Sequence, residues 1–510
     1  MNIACASICV VTAFLTISLT AGNKVNPDAL ELTPVPSPIE MQSDIDAPVD
    51  FNAATTILVD CPDKLAAQWL ERHLKEWYGK FAPNVAIGET GIELLTGDEA
   101  YSIVADKSGV KIKARTIAGV RWAAYSIRQI LIAKRNTVKI DGYILPTLKI
   151  SDAPHLGFRG VHLCCFPETD MVQIERYIRL AALMKFNYVI LEPWGMYKSA
   201  KYPWWGWNNG TMTKKKVRSL VKLGKDLGIT LIPQIAAYGH ATASRALSLK
   251  HSVLDFNPEY EPLFEPGGWN WCLTNPETQR ILRDLILELL EDFDNPPYIH
   301  LGCDEAQPPS CPDCRKRPYG EIVCEHITNL AKFTKEHGAR AMIWHDMLLN
   351  RDDPRWKGFT AYGSKATATL SDTLPKDVII CDWEYSKNFT PEQLKEWPTI
   401  KYFSEKGFPV VGCPKLNHEA MRPMADFIAK NNGFGYLQTT WQCMRGIDLT
   451  VMMCSGSAAA WGSENPKYMP QYDSTLAIAL RLVGTDMKIK DYRFTGRYDY
   501  QIPPGWWPNR

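Results

Sequence analysis

Between residues 151 and 441 the chain alternates eight times between a short β-prone run and, in most intervals, a helical stretch. The β-prone runs are 158–164 (FRGVHLC), 188–192 (YVILE), 230–236 (TLIPQIA), 298–303 (YIHLGC), 341–345 (AMIWH), 378–383 (VIICDW), 409–413 (PVVGC) and 436–441 (YLQTTW). Helical periodicity fills 171–184, 214–227, 276–293 and 418–430. Strands joined by crossover helices run parallel, and near-continuous apolar runs belong to strands buried on both faces. Eight such units predict a (β/α)8 barrel. A doubly wound open sheet is the alternative, but the Gly-rich nucleotide fingerprint that goes with it is not found.

Barrels of this kind carry their chemistry at the C-terminal ends of the strands. Those ends hold Glu192 and Trp194, Gln234 and then His240, Asp304 and Glu305, Trp344 and Asp346, Trp383 and Glu384, and Trp441. One rim thus collects acids and tryptophans. The segment YIHLGCDEAQPP breaks from an apolar run directly into Asp304 and Glu305. Paired carboxylates with aromatic walls suit cleavage of a glycosidic bond. Adjacent residues cannot flank that bond from opposite sides. The difficulty disappears if a 2-acetamido group on the sugar is the nucleophile, the first acid orients that amide, and the second is general acid and base. The plainer reading of the dipeptide is a pair of acids capping a helix N-terminus.

Upstream, residues 1–22 read as a signal peptide and 23–51 as a Pro-rich linker or extended arm. Residues 52–150 combine strands and two amphipathic helices in a small α/β domain. Residues 151–510 then hold the barrel and a C-terminal extension. An exported protein, periplasmic or extracellular, is expected. A formal net charge of +1 marks no nucleic-acid or anionic-membrane partner, and no later segment is apolar enough to span a bilayer. The oligomeric state is left open. Fourteen cysteines are too scattered for a small disulfide scaffold. Cys311, Cys314, Cys324 and His326 admit a zinc site, but a disulfide or free thiols are the favoured reading.

Several motifs resemble glycoside hydrolase family 20, the β-N-acetylhexosaminidases. HLGCDEA is similar to the family's H-x-G-G-D-E, with Cys303 at the second glycine. DAPHLGFRGVHL, GITLIPQIAAYGHATA and the run from NWCLTNPETQ to HLGCDE resemble family segments in the same order. The upstream domain resembles the one preceding these barrels. The resemblance implies an exo-acting hydrolase that removes terminal β-linked N-acetylhexosamine, GlcNAc or GalNAc, with retention, from an oligosaccharide or glycoconjugate. It implies Glu305 as acid/base and Asp304 as the group holding the acetamide. Arg159, His240, His300, Trp344, Trp383, Trp441 and Trp461 would bind the sugar or back the acids. No metal and no cofactor is implied. His345, where an acid is usual, and the missing acid after Trp441 depart from the family pattern. A glycosidase acting on a modified amino sugar and a catalytically silent carbohydrate-binding relative are the alternatives.

Overall fold

A computed structural model describes residues 34–462, apart from 90–94, 134–137, 140–141, 166–168, 194, 207–211, 243–252, 387 and 442–446. The expected signal peptide, the C-terminal extension and Trp194 lie outside the described residues.

The N-terminal unit is a mixed sheet of β1 (Glu40–Phe51), β2 (Thr56–Asp60), β3 (Asn84–Ile87), β4 (Tyr101–Asp106), β5 (Gly109–Ala114), β6 (Val138–Lys139) and β7 (Gly142–Asp152). Its order is β1-β7-β4-β5-β2-β3, with β6 pairing β7. The segment expected to be a linker or extended arm contributes an edge strand: β1 pairs antiparallel with β7 from Glu40 to Phe51. Its proline and acidic residues are tolerated because the strand lies at the sheet edge, and its register shifts between Asp44 and Pro48. The helices Lys64–Tyr78 and Ile117–Ala133 pack on this sheet.

The second sheet holds the eight parallel strands β8 (Phe158–Cys165), β9 (Tyr188–Pro193), β10 (Thr230–Pro233), β11 (Tyr298–His300), β12 (Arg340–Trp344), β13 (Ile379–Glu384), β14 (Val410–Pro414) and β15 (Gly435–Gln438). β8 pairs with both β9 and β15, and a bridge from Gln234 to His300 joins β10 to β11, so the sheet closes into the expected (β/α)8 barrel. Every residue of β8, β13 and β14 is buried, because the lumen fills one face and the helices cover the other. The helices follow local rules. In Pro276–Asp292, Pro276 occupies the first turn, Asn275 accepts the Glu277 N–H, and Ile281, Leu282, Leu285, Ile286 and Leu289 form the buried stripe. Lys214–Leu227 ends on Gly228 at φ +85°, a conformation that favours glycine.

Phe158, Tyr188, Tyr298 and Phe434 plug the lower lumen, with Phe158 stacked on Tyr188 at 4.4 Å between ring centroids. The N-terminal unit meets the barrel at this lower end. Lys185, wholly buried, reaches Asp152 at 3.0 Å, and the Trp461 indole donates to the same carboxyl at 2.9 Å. Tyr125 donates to the Leu227 carbonyl at 2.9 Å. Among the described residues no helix is long and apolar enough to cross a membrane.

Candidate active site

The strand β11 stops at His300, three residues short of the apolar run, because the backbone turns left-handed. Gly302, Cys303 and Glu305 have φ values of +68°, +71° and +46°. An L-residue in that region costs on the order of 1–3 kcal/mol and persists where its surroundings hold it. Four contacts do so. Asp346 Oδ2 accepts the Glu305 N–H at 2.8 Å, and the Trp269 indole donates to the Glu305 carbonyl at 2.8 Å. Asn270 exchanges two hydrogen bonds with the Gln307 backbone, at 2.6 and 3.2 Å. Gly239 packs so close that a Cβ there would sit 2.0 Å from the Asp304 carbonyl oxygen. Cys303, where the motif prefers glycine, is buried and donates its thiol to the Leu301 carbonyl at 3.4 Å.

This turn delivers two carboxylates to one imidazole. His240 Nε2 lies 3.4 Å from Asp304 Oδ2 and 3.3 Å from Glu305 Oε2. The acids differ in depth: the Asp304 side chain is 9% exposed and that of Glu305 is 40% exposed. They open into a cavity of about 450 Å³ lined by His240, Asp304, Glu305, Thr360, Tyr362, Trp383, Tyr385, Ser386 and Trp441. The aromatic wall is braced from within, since Trp441 Nε1 donates to the Tyr385 hydroxyl at 2.6 Å and Trp383 lies against Tyr385 at 4.8 Å. Asp304 and Glu305 are the only carboxylates among the described lining residues.

Under the acids lies a buried polar layer. Asp346 Oδ1 accepts the Trp383 indole N–H at 3.1 Å; burial, then the charge of Asp304, pushes the Asp346 carboxyl up to about 8. His300 Nδ1 accepts the Gly302 N–H at 3.0 Å, so Nε2 carries the proton; burial, then His162, pushes this imidazole down to about 3. His345 Nδ1 accepts the Trp383 N–H at 3.2 Å and its Nε2–H reaches the Thr360 carbonyl at 3.0 Å, which makes it a neutral strut inside the wall.

Of the residues expected to bind sugar, His240, Trp383 and Trp441 line the cavity. Trp344 and His300 sit below it, ring on ring at 4.3 Å, and neither is exposed. Arg159 is displaced altogether. It is the second residue of β8, at the lower end of the barrel, where its guanidinium bonds Glu99, the Leu156 carbonyl at 2.7 Å and the Lys185 carbonyl at 3.0 Å. Trp461 packs on that guanidinium at 4.9 Å, also far from the acids. Arg159 and Trp461 therefore join the N-terminal unit to the barrel and do not touch the cavity. Asp346 is expected at the rim only as a strand-end acid with no role assigned, and Tyr362 and Tyr385 are not among the residues expected to bind sugar. Asp346 and Tyr385 stand one or two residues past strand ends, which is the signal that finds them.

Two models match the chain: the catalytic domain of glycosyl hydrolase family 20 over residues 170–416, and domain 2 of the same family over residues 29–153. Together they span well over half of the sequence. The chain belongs to glycosyl hydrolase family 20. Within the family, it is 26% identical over 283 residues to a β-hexosaminidase of Porphyromonas gingivalis, which covers 49% of this chain and 36% of that protein. It is 25% identical over 304 residues to a β-N-acetylhexosaminidase of Cellulomonas fimi, which covers 53% of this chain and 59% of that one. The matched stretch thus spans between about a third and three fifths of these curated relatives. The fold is shared with solved family 20 structures. The β-N-acetylhexosaminidase of Bacteroides fragilis aligns at a TM-score of 0.65 and 18% identity, over 91% of this chain and 96% of that one. The exo β-N-acetylglucosaminidase of Vibrio harveyi, in complex with N-acetylglucosamine, aligns at 0.66 and 17% identity, over 93% and 79%.

Proposed function

We propose that this protein is an exo-acting glycoside hydrolase that removes terminal β-linked N-acetylhexosamine by substrate-assisted, retaining catalysis. One observation carries the reading: the cavity's two described carboxylates are sequence neighbours within 3.4 Å of the same imidazole nitrogen, with no described carboxylate facing them. A two-carboxylate retaining site needs an acid and a nucleophile on opposite sides of the bond. This arrangement supports a nucleophile supplied by the substrate, and a 2-acetamido oxygen can serve as one.

Glu305, the more exposed acid, gives its proton to the glycosidic oxygen as the acetamido oxygen bonds to the anomeric carbon and the leaving group departs. Asp304, deeper and beside His240, accepts the amide N–H and balances the charge of the oxazolinium ring. Glu305 then takes a proton from the water that reopens the ring, which regenerates both groups. Tyr385, held by the Trp441 indole, forms part of the wall against which the acetamido group lies. The family's β-hexosaminidases support this reading by name.

A second substrate is favoured by one observation: no arginine or lysine is among the described cavity residues. Hydroxyl recognition by a guanidinium is then unsupported, and a modified amino sugar fits the same chemistry. Turnover of aryl 2-acetamido-glucosides and galactosides, against their 2-hydroxyl counterparts, tests both readings. Turnover of the 2-hydroxyl compounds alone, or of none, overturns the proposal. Export is part of the same reading and rests on the apolar N-terminal run; N-terminal sequencing of protein recovered outside the cell checks it.

A further inference from the structure

The loop that follows Asp304 and Glu305 packs three thiols together, and they are not the set the sequence offers. Cys311 and Cys314 are joined by Cys272, which lies 39 residues before Cys311. Cys324 instead contacts the Thr373 hydroxyl at 2.9 Å, and His326 spends both ring nitrogens on Gln279 at 3.0 Å and the Ala237 carbonyl at 2.8 Å.

Cys272 Sγ stands 3.8 Å from Cys311 Sγ and 3.7 Å from Cys314 Sγ. All three are free thiols. A tetrahedral zinc ion with Zn–S bonds of about 2.3 Å sets its sulfurs about 3.8 Å apart. The Cys314 N–H points to Cys311 Sγ at 3.3 Å and orients that sulfur. The fourth corner is Glu265, 4% exposed. Its Oε2 is fixed by the N–H groups of Ser310 and Cys311, each at 2.7 Å, while its buried Oε1 has no hydrogen-bond partner. The four potential ligand atoms all lie within 4.8 Å of one another. A disulfide accounts for this arrangement poorly. It leaves the third sulfur unpaired and does nothing for a carboxylate oxygen buried without a donor.

We propose that Cys272, Cys311, Cys314 and Glu265 bind one zinc ion in a closed, structural site. Binding releases the three thiol protons and leaves a soft, sulfur-rich set that selects zinc over magnesium or calcium. All four positions are filled by protein, so the ion has no open site for chemistry. Its place in the fold gives it a role. The segment from Glu265 to Cys272 also carries Trp269 and Asn270, which grip the backbone of Glu305 and Gln307. The ion would cross-link that segment to the loop after Glu305 and hold the turn that presents the acids.

Full-length protein is purified without chelator and assayed for metal by mass spectrometry, then reduced, stripped and reloaded with Zn²⁺ or Co²⁺. About one zinc per chain is expected, with a fall in melting temperature on stripping and recovery on reloading. Cobalt should show the intense near-ultraviolet thiolate charge-transfer band. Cys314→Ser and Glu265→Gln should lose the metal and the melting-temperature response, while Cys324→Ser keeps both. Substoichiometric metal after reduction and reloading overturns the proposal, as does a disulfide within the trio in protein purified under reducing conditions. Retention of metal by Cys314→Ser would do the same.

Discussion

Asp346 Oδ2 accepts the backbone N–H of Glu305 at 2.8 Å, while Asp346 Oδ1 takes the Trp383 indole at 3.1 Å. One buried carboxyl thus fixes both the turn that carries the expected proton donor and the aromatic wall beside it. Family resemblance draws attention to Asp304 and Glu305. The geometry adds that they rest on a third acid contributed by the loop after β12.

That third acid has a pH signature. The Asp346 carboxyl is pushed up to about 8 from an ordinary 3.8, first by burial and then by Asp304. The folded protein therefore keeps a proton that the unfolded chain gives up between these values. The associated stability is fully present below the lower value and is lost as pH rises through the upper one. Asp346→Asn cannot ionise, so the variant should gain on the natural protein by on the order of 1 kcal/mol per pH unit across that window. Denaturant unfolding at about pH 5 and about pH 8 reads the difference, and a pH-independent difference would count against the assignment.

Arg159 separates a role in the fold from a role in the site. Its guanidinium, 1% exposed, holds Glu99 and two backbone carbonyls at the lower end of the barrel. Arg159→Met strips donors from all three and should cost on the order of 3 kcal/mol of stability. KM should not move, because the cavity lies at the other end of the strands. Arg159→Lys, which keeps a charge, gives a milder version if the first variant folds poorly. An unchanged unfolding midpoint with a raised KM would return Arg159 to the sugar site.

Much of this architecture was legible in the chain. The eight strands stand within a few residues of their expected places because parallel strands buried on both faces leave continuous apolar runs. The acids were legible because two charges directly after such a run have nowhere to go but a strand's end. A motif match points Arg159 to the sugar, and the general resemblance points Trp461 there, but the chain position of each says otherwise. Arg159 is the second residue of its strand, and Trp461 ends the helix that returns from β15, so both belong to the lower end of the barrel. The Cys272 partnership was not legible, since only the packing of two loops brings that sulfur to Cys311 and Cys314. Asp346 was in view as a strand-end acid, but its bond to the Glu305 backbone is a tertiary contact.

Glu305→Gln removes the proposed proton donor while keeping its shape. Turnover should fall by about 10²–10⁴ on substrates with a poor leaving group. The loss should be smaller with a nitrophenolate leaving group, which departs with little protonation. Steady-state rates on the two substrate classes decide it. Equal losses on both would mean that Glu305 acts through the fold rather than by proton transfer.

The nucleophile gives the sharpest expectation. Asp304 and Glu305 share one imidazole nitrogen, so neither is set across the bond from the other. If the acetamido oxygen attacks, the product retains its anomeric configuration and no sugar becomes esterified to the protein. Glycosides with a 2-hydroxyl should then be very poor substrates. A thiazoline mimic of the cyclised intermediate should bind far more tightly than the parent sugar, because the site is complementary to that bicyclic, charged shape. Asp304→Asn should lower kcat strongly and ground-state binding little, since its charge matters most as the oxazolinium forms. Proton NMR of the first-formed anomer, paired with trapping by a 2-fluoro glycoside, decides between the routes. An inverted product, or a stable glycosyl ester on any Asp or Glu, would show that a carboxylate outside the described cavity residues, or a water, takes the place assigned here to the substrate's own amide.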